Sequence, residues 1–239
     1  MSRPDRPARA TLPDVHHVGL PGTLAAAVDH ELVVKKSRFL AHLAPARSIE
    51  EADAVVARLR KEHWDARHHC TALVVGTHAD QQRSSDDGEP SGTAGVPMLE
   101  VLRRRGLTDV VAVVTRYFGG VLLGAGGLVR AYSGAVAEAL DAAAAQGALR
   151  RRELLTEVTV DVPHADAGRV DHLLRDWATT HDAVLEEPSY GAVARLALLV
   201  PPAALPRLRE DLAAASGGAL VPVAGADRVV DLPAGQQVR

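Results

Sequence analysis

An α+β protein of two domains is what this sequence predicts, and three features carry the prediction. The segment DVVAVVTRYF (109–118) is apolar almost without interruption, as expected of a strand covered on both faces, and helical patterns flank it. From about Arg151 the pattern becomes strand, helix, two strands, helix, strand. That βαββαβ order is ferredoxin-like and leaves one sheet face covered by two helices. Between the halves, GALRR (147–151) is short, so the domains are joined closely rather than by a tether. The expected organisation is a disordered tail over residues 1–20, a first domain over 21–149, a ferredoxin-like domain over 150–232 and a frayed tail over 233–239.

Taken in order, HELVVKKSRFLAHLAPA reads as two short strands around Lys35, Lys36 and Ser37. SIEEADAVVARLRKEHW reads as a helix with a capping box, Ser48 at its start and Glu51 three residues on. HHCTALVVG is a strand with a buried apolar end, and a short helix follows over about 96–105, stopped by Gly106. After DVVAVVTRYF and GGVLLG, a long helix over about 125–145 carries Leu128, Tyr132, Ala135, Val136, Ala139, Leu140 and Ala143 at three- and four-residue spacing, a core face. In the second domain the strands are LLTEVTVDV, DAVLEEP, YGAVARLALLV and ALVPVAGADRVV, and the helices ADAGRVDHLLRDWA and ALPRLREDLAAA.

Composition narrows the function classes. The chain has 239 residues, 47% of them apolar, enough for real cores, but only 3% aromatic, so those cores are built from Ala, Val and Leu. The net charge of -3 hides no basic half: residues 21–149 hold 14 basic against 15 acidic side chains, and 150–239 hold 10 against 13. Contact with a polyanion therefore depends on a local patch, not on bulk charge. The single cysteine, Cys70, excludes an internal disulfide and any multi-thiolate zinc site, and the expected location is the cytoplasm. No apolar run approaches the roughly 18 residues of a membrane span, and VGLPGTLAAAV, broken by Pro21 and Gly22, reads as non-targeting.

Two neighbouring stretches stand out chemically. SSDDGEPSGTAGVP (84–97) concentrates Asp86, Asp87 and Glu89 among glycines and prolines with no basic residue. The central strand ends in Arg116, Tyr117 and Phe118, then passes through Gly119, Gly120, Gly124, Gly126 and Gly127 into the long helix. A glycine-rich turn at a helix start points N–H groups outward with the positive end of the macrodipole, a place for an anion. Neither nucleotide fingerprint fits, because Val129 stands where the third glycine of G-x-G-x-x-G belongs and no GK[ST] occurs. The same glycines could equally let the helix lie close on the sheet. Arg130, read as lying in the first helical turn, opposes the dipole and has Ser133 and Gly134, not acids, at i+3 and i+4. The acidic loop is then expected to fold over the turn and pair with Arg116 or Arg130, or to be a solvated loop of ordinary turn formers.

A metal site is not expected: the D-D-G-E run lacks the alternation of a calcium loop, there is no HExxH, and the carboxylates could recruit Mg²⁺ only beside a phosphate. His68 and Cys70, two apart on a strand, share a face, so Cys–His chemistry is geometrically possible. A buried cysteine is nevertheless more often a small hydrophobe, and no catalytic residue is assigned.

The blocks SSDDGEPSGTAGVPM and VVTRYFGGVLLGAGGLVRAY resemble the signature blocks of the YigZ/IMPACT family, and KKSRFLAHLAPA and ARHHCTALVVG, with His68 and Cys70 at its H-x-C, extend the resemblance over about residues 27–145. The resemblance implies a first domain similar to the second domain of a small-subunit ribosomal protein, a β-sheet with two helices, followed by the ferredoxin-like domain of bacterial members. The same two folds in the same order resemble the fourth and fifth domains of the translocase-type elongation factor. Eukaryotic relatives of IMPACT type are regulators that compete on ribosomes for the activator of an amino-acid-control kinase. They use a further N-terminal domain without counterpart in this sequence, so that partner is not carried over. What the resemblance implies is non-catalytic, translation-linked binding of RNA, the ribosome or a translation factor. Its surface would comprise Asp86, Asp87, Glu89, Arg116, Tyr117, Phe118, Gly119, Gly120, Gly124 and Arg130, with His68 and Cys70 in support and no cofactor. The alternatives are a phosphate- or nucleotide-dependent small-molecule enzyme, the one reading that would call on Mg²⁺, and a protein–protein adaptor. Oligomeric state is open.

Overall fold

The computed structural model describes residues 19–234; the ends of both expected tails lie outside the described residues. Strand β1 (Leu20–Leu24) precedes a hairpin of β2 (Val28–Val34) and β3 (Ser37–Pro45). Then follow α1 (Ile49–Glu62), β4 (His68–Val75), β5 (Gln81–Ser85), α2 (Gly95–Arg104), β6 (Val110–Tyr117) and α3 (Ala125–Ala145). The second domain is built from β7 (Leu149–Val162), α4 (Ala167–Thr180), β8 (Val184–Leu185), β9 (Ser189–Tyr190), β10 (Ala194–Val200), α5 (Leu205–Ser216) and β11 (Val223–Pro233).

The first sheet runs β2-β3-β6-β4-β5, antiparallel throughout, with β6 at its centre. Every residue of β6 from Val110 to Arg116 is buried, as its unbroken apolar pattern requires. Ala112 and Val114 face α2 and α3 together with Phe39, Leu43, Met98, Leu102 and Tyr132. Val111 and Val113 face α1 with Leu73, Ala52 and Leu59. The sheet thus has a helix on its second face as well, one more than the two implied by resemblance, because β4 and β6 carry apolar side chains on both faces. The α3 core stripe is the one read from spacing, and its many alanines let helix and sheet approach closely.

At the start of α1 the Ser48 hydroxyl accepts the Glu51 N–H at 3.2 Å, as expected of a capping box. The Glu51 carboxylate, however, takes the N–H of Arg47 (2.7 Å), one residue before the cap.

The second sheet has the order β11-β7-β10-β8, all neighbours antiparallel, which is the ferredoxin-like order with the first and third strands central. Val158, Val160 and Leu198 pack against Val170, Leu174 and Trp177 of α4 and Leu208 and Leu212 of α5. Residues 191–193 break the expected strand YGAVARLALLV, leaving β9 as a two-residue piece on β10.

Two strands have no precedent in the sequence reading. β5 (QQRSS) is a polar edge strand without alternation, so only its ladder to β4 defines it. β1 (LPGTL) contains Pro21 and Gly22 and is defined by pairing with β7. It also reaches the first domain: Gly22 N–H donates to the Gly106 carbonyl (2.8 Å), and the Gly22 carbonyl accepts the Thr108 N–H (2.9 Å).

Candidate functional site

Four connections converge at the end of the first sheet where β6 finishes: the β2–β3 turn, the α1–β4 turn, the loop after β5 and the turn into α3. Lys35 and Lys36 occupy the two-residue β2–β3 turn with φ of 47° and 66°, the left-handed pair that a tight hairpin demands. The turn is buttressed from behind. A Cβ on Gly119 would lie 2.0 Å from the Lys36 carbonyl carbon, and the Gly119 N–H donates to Ser37 Oγ at 3.1 Å. Gly119 is therefore required for close approach of two backbones.

The acidic loop is held from inside. Residues 86–89 form a turn closed by the Glu89 N–H on the Asp86 carbonyl (2.9 Å), with Asp87 and Gly88 at φ of 40° and 85°, the conformation for which Asp-Gly is suited. The Asp86 carboxylate accepts the N–H groups of Gly92 (2.7 Å), Ala94 (3.0 Å) and Gly95 (2.8 Å). Ala94, the residue at the N-cap of α2, has no side-chain cap, so Asp86 supplies one from eight residues upstream. Burial alone would raise the Asp86 pKa, but the three N–H donors outweigh it and hold the group below its ordinary value. Asp87 accepts Arg60 Nη2 at 2.5 Å on one oxygen and the His69 N–H at 2.7 Å on the other.

Glu89 is buried and bonded to two side chains at once: Arg116 Nη1 at 2.6 Å and the Tyr132 hydroxyl at 2.8 Å, both on Oε1. Arg116 is 7% exposed, and its guanidinium lies 5.4 Å from the Phe39 ring centre and 5.7 Å from that of Phe118. Its Nε is buried without a hydrogen-bond partner. Tyr132 packs edge-on against Phe39, and burial together with its neighbours Cys70 and Glu89 raises its pKa far above the ordinary tyrosine value, so it remains a donor.

His68 and Cys70 do share the α2/α3 face, on either side of His69 in β4. Cys70 is fully buried, its thiol donating to the Asp86 carbonyl at 3.0 Å, and burial above all pushes its pKa up to about 12. A thiol held protonated to that degree is no nucleophile at neutral pH. His68 directs Nδ1 to the Asp87 carbonyl at 2.9 Å.

The expected pairing of the loop with the arginines is met by Arg116 alone. Arg130 sits in the second turn of α3, not the first, is exposed, and makes no salt bridge among the described residues. The loop acids are already satisfied on the β4/β6 side, by Arg60, Arg116 and the start of α2. Gly120 and Gly124 take φ of 82° and 70° in the turn, and Gly124 ends as the N-cap of α3. Tyr117 points to the other face and donates to Asp65 at 2.9 Å. Phe118 is 56% exposed, and Leu122 and Trp64 are more exposed still.

A cleft of about 450 Å³ opens here between the α1–β4 turn and the end of β6, bounded by Asp65, Arg67, His68, Arg116, Phe118 and Leu122. Sequence reasoning missed Arg60, Arg67 and Trp64. Arg67 directly precedes β4, next to His68, and that position was the available signal. No group of three His, Cys, Asp or Glu side chains among the described residues is placed to hold a metal ion, and no described helix is long and apolar enough to cross a membrane.

Residues 35–140 match the family model of the Impact N-terminal domain, and residues 160–219 match a domain of unknown function, DUF1949. The IMPACT family member YigZ of Escherichia coli (strain K12) is 42% identical over 189 residues, covering 78% of this chain and 89% of the relative. The IMPACT family member YvyE of Bacillus subtilis (strain 168) is 45% identical over 154 residues, 64% of this chain and 69% of that one. A solved structure of a hypothetical protein superposes with a TM-score of 0.53 at 39% identity, covering 88% of this chain and 99% of the other. Both domains and the loop that ties Asp86, Glu89 and Arg116 together fall within these matches, and the chain belongs to the IMPACT family.

Proposed function

We propose that this protein is a non-catalytic, translation-linked regulator that binds RNA, the ribosome or a translation factor through the end of its first sheet. One observation carries the reading. The three loop acids that would neutralise this surface are spent internally, Asp87 on Arg60, Glu89 on Arg116 and Asp86 on the start of α2, and Asp65 is an exposed acid set against the cations around it. Lys35, Lys36, Arg67 and Arg130 are all exposed and make no salt bridge among the described residues. A chain that is neutral in bulk thus presents a local basic patch, with the exposed Phe118, Val121 and Leu122 beside it. The resemblance of the signature blocks to those of IMPACT-type regulators supports the link to translation.

The enzyme alternative draws less support, since the carboxylates it would use for Mg²⁺ already accept protein donors and the thiol is buried. The test is co-sedimentation of the full chain with ribosomal subunits at low and moderate salt, wild type against Arg67→Ala and Arg130→Ala. These side chains are exposed, whereas Arg116→Ala would leave Glu89 unpaired in the core. Association that salt weakens and that both variants reduce is expected, because each phosphate contact contributes to the salt dependence. Absence of association at any salt overturns the reading. Salt-indifferent association that both variants retain overturns it in favour of an adaptor docking on Val121 and Leu122.

A further inference from the structure

We infer that the cleft between Phe118 and Arg67 takes one unpaired nucleotide of single-stranded RNA, an inference that rests on the binding reading above and specifies its partner. The cleft, at about 450 Å³, falls within the size range of small-ligand sites, roughly 300–1,000 Å³. One wall offers the exposed ring of Phe118, backed by the Arg116 guanidinium at 5.7 Å. A base laid on that ring would continue the stack, and stacking accepts any base because each has a π face.

The cleft also carries the donors that a phosphate needs. Arg67 is exposed on its rim and free of ion pairs among the described residues. Arg116, more than nine-tenths buried, lines the cleft with Nη1 bonded to Glu89; its Nε is unpartnered but closed to solvent, so this guanidinium supports the Phe118 ring and the phosphate falls to Arg67. The acid on the wall, Asp65, accepts the Tyr117 hydroxyl and keeps its charge, so the phosphate lies on the Arg67 side of the cleft, away from Asp65.

His68 supplies the preference for RNA. Its Nδ1 faces a carbonyl, which can only accept, so the proton of the neutral ring sits on Nδ1 and Nε2 is left as an acceptor. A ribose 2′-hydroxyl can donate to such an acceptor, and deoxyribose cannot. A duplex keeps its bases stacked within, so the Phe118 ring has nothing to take from it.

The experiment is fluorescence anisotropy of a labelled single-stranded RNA 10-mer with the full chain, alongside a DNA 10-mer of the same sequence, the RNA duplex and free uridine monophosphate as competitors. The single-stranded RNA should bind most tightly. Phe118→Ala should weaken it roughly tenfold, Phe118→Tyr should retain it, and Arg67→Ala should weaken it with a shallower salt dependence. Phe118 and Arg67 are exposed, so these variants keep the fold, which circular dichroism would verify. Binding by Phe118→Ala equal to wild type overturns the inference, as does equal competition by duplex, DNA or free mononucleotide. Ribosome association without any oligonucleotide binding overturns this inference and leaves the broader reading standing. Oligonucleotide binding without ribosome association supports this inference and overturns only the ribosomal part of the broader reading.

Discussion

Asp86 illustrates how one carboxylate can organise a loop that its neighbours cannot. Its oxygens accept three N–H groups, two at the start of α2 and one from Gly92, so the charge meets the positive end of the helix dipole as well as direct donors. Asp86→Ala removes a charged cap and is expected to cost about 2 kcal/mol, readable as a lowered urea midpoint. The pH dependence has a definite sign. The folded pKa lies below the ordinary value of 3.8, so the contribution is complete above the unfolded pKa and is lost as pH falls through the folded one. Wild type should therefore lose its advantage over Asp86→Ala as acid unfolding is followed from pH 5 to about pH 2. An undiminished difference at the acid end would assign the effect to packing instead. The presence of three acids in the loop was legible in the sequence. Their separate partners were not, because Asp86, Asp87 and Glu89 are consecutive or nearly so and a single turn sends them in three directions.

Among the elements, α3 was read to the residue, since an apolar stripe of this length has only one helical solution. Its approach turn shows what glycine is for at one position and not at another. Gly119→Ala forces a Cβ into the Lys36 backbone, which cannot yield without opening the β2–β3 turn, and should cost about 3 kcal/mol. Gly126, in the first turn of α3, has open space around its Cβ position. Gly126→Ala should stabilise by about 0.5–1 kcal/mol, by restricting the unfolded chain. Thermal unfolding of the two variants checks both, and equal shifts would contradict the packing argument. The helix α2 was found from sequence but its cap was not, because the cap comes from Asp86 rather than from Ala94. The polar edge strand β5 escaped notice for a related reason: a strand without alternating burial leaves no period to detect.

At the scale of the molecule, the two domains are locked by β1 and by a buried arginine. β1 pairs with β7 in the second sheet while Gly22 bridges to the turn before β6 in the first domain. Arg152 donates to Asp109 at 2.6 Å and to Asp231 at 2.9 Å, and Asp109 in turn accepts the Gly76 N–H at 2.8 Å. Arg152→Met leaves the buried Asp109 without its cation and should destabilise by about 3–5 kcal/mol. Adding Asp109→Asn should restore part of that loss, since it removes the stranded charge and keeps an acceptor for Gly76. Denaturant unfolding of the single and double variants tests the coupling, and strict additivity would show that the two groups act independently.

The sequence by itself determined the two-domain α+β class, the ferredoxin-like order, the core face of α3 and the segments that carry the family signature. Each of these is written in local periodicity or in contiguous residues. Only the tertiary structure decided that the three loop acids are each bonded within the domain, that Arg116 belongs to that network and Arg130 does not, and that Lys35, Lys36, Arg67 and Arg130 are left exposed without salt bridges among the described residues. Those outcomes depend on strand register. His68, Arg116 and Phe39 lie in one row across β4, β6 and β3, and that row puts Arg116 beside Glu89, a carboxylate 27 positions away in the chain.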